Sequence, residues 1–126
     1  MPHPKPTDGE LAILHILWEH GTCTVKEIHR SLAEGRDLPY TTVLSALQSM
    51  HDKGLVQRDS SQRQHVYRAA LEEKEARRTL VDDLLDKAFR GSALELVAHA
   101  LESERTSLED LETLRRLIAE KRRSQP

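Results

Sequence analysis

Only one cysteine, Cys23, occurs in 126 residues. One thiol can close no intramolecular disulfide and build no cysteine metal cluster, a usage that fits a reducing cytoplasm. Aromatic residues make up 3 % of the chain and do not cluster, which argues against a small-ligand pocket. The longest apolar stretch, "LAILHILW" at 11–18, is interrupted by His15. A bilayer span needs about 20 apolar residues, so no transmembrane helix is expected. The start "MPHPKPT" lacks the apolar centre of a signal peptide. Internal repeats and low-complexity segments are absent too.

Catalytic and metal signatures are equally scarce. The seven histidines, at 3, 15, 20, 29, 51, 65 and 99, form no His-x-x-x-His pair. No Cys or Asp/Glu cluster completes a ligand set, so no metal or other cofactor is expected. Ser60 and Ser61 lack the glycine-flanked elbow of a hydrolase nucleophile. The chain does not read as an enzyme. What is plentiful is charge, 32 % of residues at a net of −2, with apolar residues recurring periodically between. That is a folded, helix-rich composition.

The periodicity orders the chain. Prolines at 2, 4 and 6 mark a frayed leader. "TDGE" at Thr7–Glu10 is a capping box that opens a first helix, with Leu11, Leu14 and Leu17 in its stripe and a stop near Gly21. "TVKE" at Thr24–Glu27 opens a second helix over Val25, Ile28 and Leu32, ended by Gly35. Pro39 starts a third, with Val43, Ala46, Leu47 and Met50 apolar and Gly54 as its stop. The period then falls to two. "LVQRD" (55–59) and "QHVYRA" (64–69) predict a β-hairpin across "SSQ". A long helix follows to about Phe89 and breaks at Gly91. "SALE" at Ser92–Glu95 is a third capping box that opens another helix, and a last one begins near Thr106. Three short helices and a hairpin match a winged helix-turn-helix over 1–70. The helical tail, 71–126, has wide apolar stripes and too little chain for a solitary core. A second copy of the chain is the simplest cover, which predicts a homodimer through Leu84, Leu85, Phe89, Val97, Leu101, Leu111 and Leu114.

The third helix has an unusual outer face. With Val43, Leu47 and Met50 inward, it presents Thr41, Thr42, Ser45 and Gln48 where surface helices carry lysine and glutamate. Hydroxyls donate and accept, glutamine pairs with adenine, and a threonine methyl can touch a thymine methyl. No acidic residue interrupts this face before Asp52. Residues 1–70 hold eight Lys/Arg and eight Asp/Glu, but Arg58, Arg63 and Arg68 stand against Asp59 alone in the hairpin. Arg63 at the wing tip is expected to meet phosphate, with Arg58 beside it. Lys26 and Arg30 are explained equally well as backbone-binding groups or as a solvated face. Winged helices also serve as protein-binding modules, so an adaptor without specific DNA binding is the alternative.

Three stretches make the pattern specific: "TDGELAILHILWEHGTCTVKEI", "PYTTVLSALQSMHDKGLVQR" and "RQHVYRA". Together with "LLDKAFRGSALELVAHALE" they resemble the penicillinase-repressor family, the BlaI, MecI and CopY type, over about residues 7–120. The resemblance implies a cytoplasmic bacterial repressor. It would be a homodimer of winged-helix domains on a helical dimerisation region, bound to double-stranded DNA at an inverted-repeat operator. It also implies a membrane protease sensor as inducing partner. Three departures stand out. Gln62 precedes Arg63 where the family has a wing glycine. No cysteines occur near the C-terminus, which argues against copper sensing. His99-Ala100 replaces the family's cleaved Asn-Phe bond.

Overall fold

The computed structural model describes residues 5–126, so Pro2, His3 and Pro4 of the predicted leader lie outside the described residues. The chain order is α1 (Asp8–His20), β1 (Cys23–Thr24), α2 (Val25–Leu32), α3 (Tyr40–Asp52), β2 (Val56–Asp59), β3 (Val66–Ala69), α4 (Glu73–Ala88), α5 (Ala93–Glu102) and α6 (Leu108–Ser124). It is mainly helical with a small antiparallel sheet, the winged-helix arrangement that the periodicity predicts. Both early capping boxes form. The Thr7 amide donates to Glu10 Oε1 at 2.9 Å, and the Glu10 amide returns to Thr7 Oγ1 at 3.2 Å. Thr24 and Glu27 repeat the exchange at the same two distances.

Several local expectations shift. The periodicity does not predict β1, because two residues are too short to show a period. It pairs antiparallel with β3, Cys23 opposite Tyr67, and gives a sheet of order β1-β3-β2. α2 stops at Leu32, before Gly35, which instead turns the following loop at φ 75°. At "SALE" only half the box forms: the Glu95 amide donates to Ser92 Oγ at 3.2 Å. The full box of the tail is Ser107 with Asp110, opening α6 at Leu108 rather than near Thr106. The missing wing glycine costs nothing. Among the described non-glycine residues only Arg90 has positive φ, so Gln62 needs no left-handed backbone. Instead the Ser61 amide donates to Asp59 Oδ1 at 2.9 Å and turns the wing.

The chain divides into two compact units, one ending at Val81 and the other Asp82–Pro126. The first has a continuous core: Leu14 and Leu17 from α1, Ile28 from α2, Leu47 and Met50 from α3, and Tyr67 from β3, all buried. Leu71 and Ala76 are buried in the same core. Trp18 Nε1 donates to the Leu71 carbonyl at 2.9 Å, tying the start of the tail back to α1. The second unit differs: no side chain of 82–126 is buried. Leu94 and Leu108 are 79 % and 84 % exposed.

Candidate nucleic-acid interface

α3 is held by its apolar side. Val43, Leu47 and Met50 are buried, and the three- and four-residue steps between them fix the rotation of the helix. That rotation leaves Thr41, Thr42, Ser45 and Gln48 on the exposed side, with Ser49 next to them. The start of α3 is also unlike those of α1, α2 and α6. Its N-cap is Pro39, which makes no side-chain cap, and its first turn holds no acid. A helix start without a cap leaves amide donors and the positive end of the dipole for something else to satisfy.

His29 fixes how α3 begins. Its Nε2 lies 2.6 Å from the Leu38 carbonyl, so this nitrogen carries the proton and donates. Its ring packs edge-on against Tyr40, with centroids 5.7 Å apart. The imidazole of α2 thus anchors the turn into α3. Nothing in the local sequence marks this, since the pairing depends on two helices meeting.

The strand register separates the wing arginines. Gln57 pairs with Arg68, and Arg58 with Tyr67. Arg68 Nε donates to Gln57 Oε1 at 2.7 Å, so that guanidinium is already engaged across the hairpin. Arg58 and Arg63 are exposed. Arg63 lies in the wing turn and borders a groove of about 590 Å³ with Lys26 and His29 of α2, Tyr40 of α3, and His65. No carboxylate borders this groove. Two other grooves of the same unit are bordered by acids, one by Glu27 and Asp59, the other by Glu27 and Glu34. Glu27 is held below the usual carboxylate range by the Thr24 amide and hydroxyl, and Asp59 by Ser61. Lys26, ambiguous from sequence, therefore shares a groove with Arg63. His29, Tyr40 and His65 join them, and sequence reasoning misses all three as site residues because their spacing along the chain carries no signal.

Other candidates fall elsewhere. Cys23 is buried in β1. Burial raises its thiol pKa, and the Glu27 charge adds to the shift, so it stays protonated at neutral pH. Among the described residues no three His, Cys, Asp or Glu side chains gather as a metal site, and no helix is long and apolar enough to cross a membrane. In the tail, Leu84, Val97, Leu101 and Leu111 are exposed, while Leu85, Phe89 and Leu114 are half-buried. Val97, Leu101, Leu111 and Leu114 share one apolar groove of about 380 Å³ with Leu117 and Ile118 of α6.

A family profile described as "Penicillinase repressor" matches residues 6–120. The chain belongs to the penicillinase-repressor family. Its members are DNA-binding transcriptional repressors, not enzymes. The chain is 34 % identical over 115 residues to the transcriptional regulator BlaI of Mycobacterium tuberculosis, covering 90 % of this chain and 82 % of that one. It is 21 % identical to the penicillinase repressor of Bacillus licheniformis over 117 residues, 93 % of this chain and 91 % of the other. The solution structure of the DNA-binding domain of the repressor BlaI superposes with a TM-score of 0.52 at 22 % identity, over 58 % of this chain and 89 % of that one. A MarR family protein from Bacillus stearothermophilus gives 0.51 at 23 % identity, over 95 % and 75 %. These two structural likenesses bear on the fold. Gln62 and Arg63 of the wing turn and His99-Ala100 are on exposed surface.

Proposed function

We propose that the chain represses transcription by binding an inverted-repeat operator as a homodimer, in the cytoplasm. α3 reads bases through Thr41, Thr42, Ser45 and Gln48, and the wing meets the backbone through Arg58 and Arg63. The observation that carries this reading is the exposed side of α3, free of acid until Asp52 at its far end, on a helix that starts without a side-chain cap beside a groove bordered by Lys26 and Arg63. A helix entering the major groove by its N-terminus needs short polar side chains, room for phosphate and no carboxylate there. The region 1–70 serves as the DNA-binding domain, with residues 71–76 completing its core, and the helical remainder to 126 serves for dimerisation.

Leaving large apolar side chains in water forfeits about 1.5–3 kcal/mol each. The apolar faces of α4, α5 and α6 around Leu84, Leu85, Phe89, Val97, Leu101, Leu111 and Leu114 therefore pack against a second copy. Two reading heads then lie about 34–36 Å apart, one helical turn of DNA. Induction through a membrane protease sensor belongs to the same reading. Here His99-Ala100 lies within α5, so a cut there needs local opening of that helix first.

The test is a gel shift with the DNA upstream of the chain's own gene against a scrambled duplex. Thr42→Ala, Ser45→Ala or Gln48→Ala should each weaken specific binding, by about 1–3 kcal/mol where the truncated side chain touched a base. Binding to the scrambled duplex should change little. If all three variants keep the selectivity of the parent, α3 is not the reading head. A parent that shifts neither duplex favours a protein-binding adaptor.

A further inference from the structure

We infer that the groove between α2, α3 and the wing is a proton-linked seat for the DNA phosphodiester backbone, in which His29 and His65 become the third and fourth cations when DNA is bound. The inference rests on the DNA-binding reading above and adds a regulated backbone site to it. Five titratable side chains border the groove: Lys26 and His29 from α2, Tyr40 from α3, and Arg63 and His65 from the wing turn and the residues after it. Lysine and arginine are charged throughout the physiological range, the tyrosine is neutral, and imidazole is the side chain whose charge changes between about pH 5 and 8.

The charged surroundings favour an anionic occupant. No carboxylate from α2, α3 or the wing borders the groove, so nothing in it competes with a phosphate for the two fixed cations. The acids nearby in sequence go elsewhere. Glu27 closes the Thr24 capping box, Asp59 accepts from Ser61, and both border a separate groove with Gln57 and Arg68. Asp37, in the loop between α2 and α3, is exposed and does not border this groove.

His29 is placed for a charge change without a change of position. Its Nε2–H is already committed to the Leu38 carbonyl, which leaves Nδ1 as the site that takes up a proton. The added charge develops on a ring whose orientation is fixed by that bond and by Tyr40. His65 is exposed and borders the same groove from the wing side. The two imidazoles border one groove with Lys26 and Arg63, and a phosphodiester seated there favours their protonated forms. DNA binding then takes up protons, and by linkage affinity rises as pH falls.

The experiment is fluorescence anisotropy of the full chain on a mixed-sequence duplex at fixed low salt, at pH 8 and pH 6. The expected result is about five- to tenfold tighter binding at pH 6, with a salt slope steeper by about one to two. Calorimetry in two buffers of different ionisation enthalpy should show proton uptake on binding by the unsubstituted chain. His29→Gln keeps a donor for the Leu38 carbonyl, and His65→Gln changes an exposed side chain. The double variant should lose the pH response, its affinity at pH 6 being no tighter than its own at pH 8, while His20→Gln keeps the response of the parent. His65→Gln alone should lose part of the response. Binding that is equal at both pH values, or a full response in the double variant, overturns the inference and leaves the DNA-binding reading standing. Failure to bind the duplex at either pH overturns both.

Discussion

Glu10 does two jobs from one carboxylate. Oε1 accepts from the Thr7 amide and closes the capping box of α1, while Oε2 accepts from Lys53 Nζ at 2.7 Å, at the far end of α3. Burial pushes the carboxyl up, but the Lys53 ammonium and the Thr7 hydrogen bonds outweigh it and hold the pKa below the ordinary value. A depressed folded pKa means stability that is present above the unfolded value, about 4.3, and is lost as pH falls through the folded one. Lys53→Met should therefore cost about 1–2 kcal/mol at pH 7, discounted for the half-exposed ammonium, and much less at pH 3. Urea denaturation at the two pH values measures this, and equal costs at both would remove the ion pair as the cause. Tyr67 presents the opposite case. It is fully buried, and its hydroxyl has no hydrogen-bond partner among the described residues. An unpaired buried hydroxyl carries a desolvation cost, so Tyr67→Phe should raise stability by about 1 kcal/mol. A decrease of that size in the same denaturation assay would mean the hydroxyl has a partner.

Among elements, α3 trades its own stability for an open end. An aspartate at the N-cap accepts from the first-turn amides, so Pro39→Asp should supply the missing cap, worth about 1 kcal/mol to the helix. It would also set a carboxylate where a phosphate is to lie. DNA affinity should then fall at least about tenfold while thermal stability holds or rises. Unchanged affinity would place the start of α3 away from DNA. The wing makes a different prediction. Arg63→Ala should weaken binding to all sequences alike and flatten the salt slope by about one for each phosphate the arginine neutralised, or about two in a dimer. Salt titration of the variant and the parent on one duplex decides it.

At the scale of the whole molecule, the two compact units have opposite characters. The first buries a core of its own, whereas in the second no side chain is buried. Leu101→Glu with Leu111→Glu should turn a dimer into a monomer by sedimentation, because each puts a charge into an apolar interface. Operator affinity should fall about 100-fold or more, since two weak sites would no longer be linked. The melting of the first unit should change little. A parent chain that sediments as a monomer at micromolar concentration removes the dimer from the reading. A truncation with the same aim belongs after Val81 rather than at residue 71. The shorter cut removes Ala76, which is buried in the first core, and leaves Leu71, whose carbonyl holds Trp18, as the chain end.

The sequence alone determined what depends on neighbours along the chain. Capping at Thr7 and Thr24, the helical steps of Val43, Leu47 and Met50, and the period-two hairpin are all local, and local hydrogen bonds and amphipathicity suffice to specify them. The exposed face of α3 follows from the same steps, so Thr41, Thr42, Ser45 and Gln48 are legible as candidates. Tertiary structure decided what requires distant parts to meet. β1 exists only because β3 pairs with it, Lys53 finds Glu10 from 43 residues away, and Trp18 reaches Leu71 across 53. The groove is of this second kind. Lys26, His29, Tyr40, Arg63 and His65 come from three elements whose spacing along the chain encodes nothing, and only packing brings them to one groove.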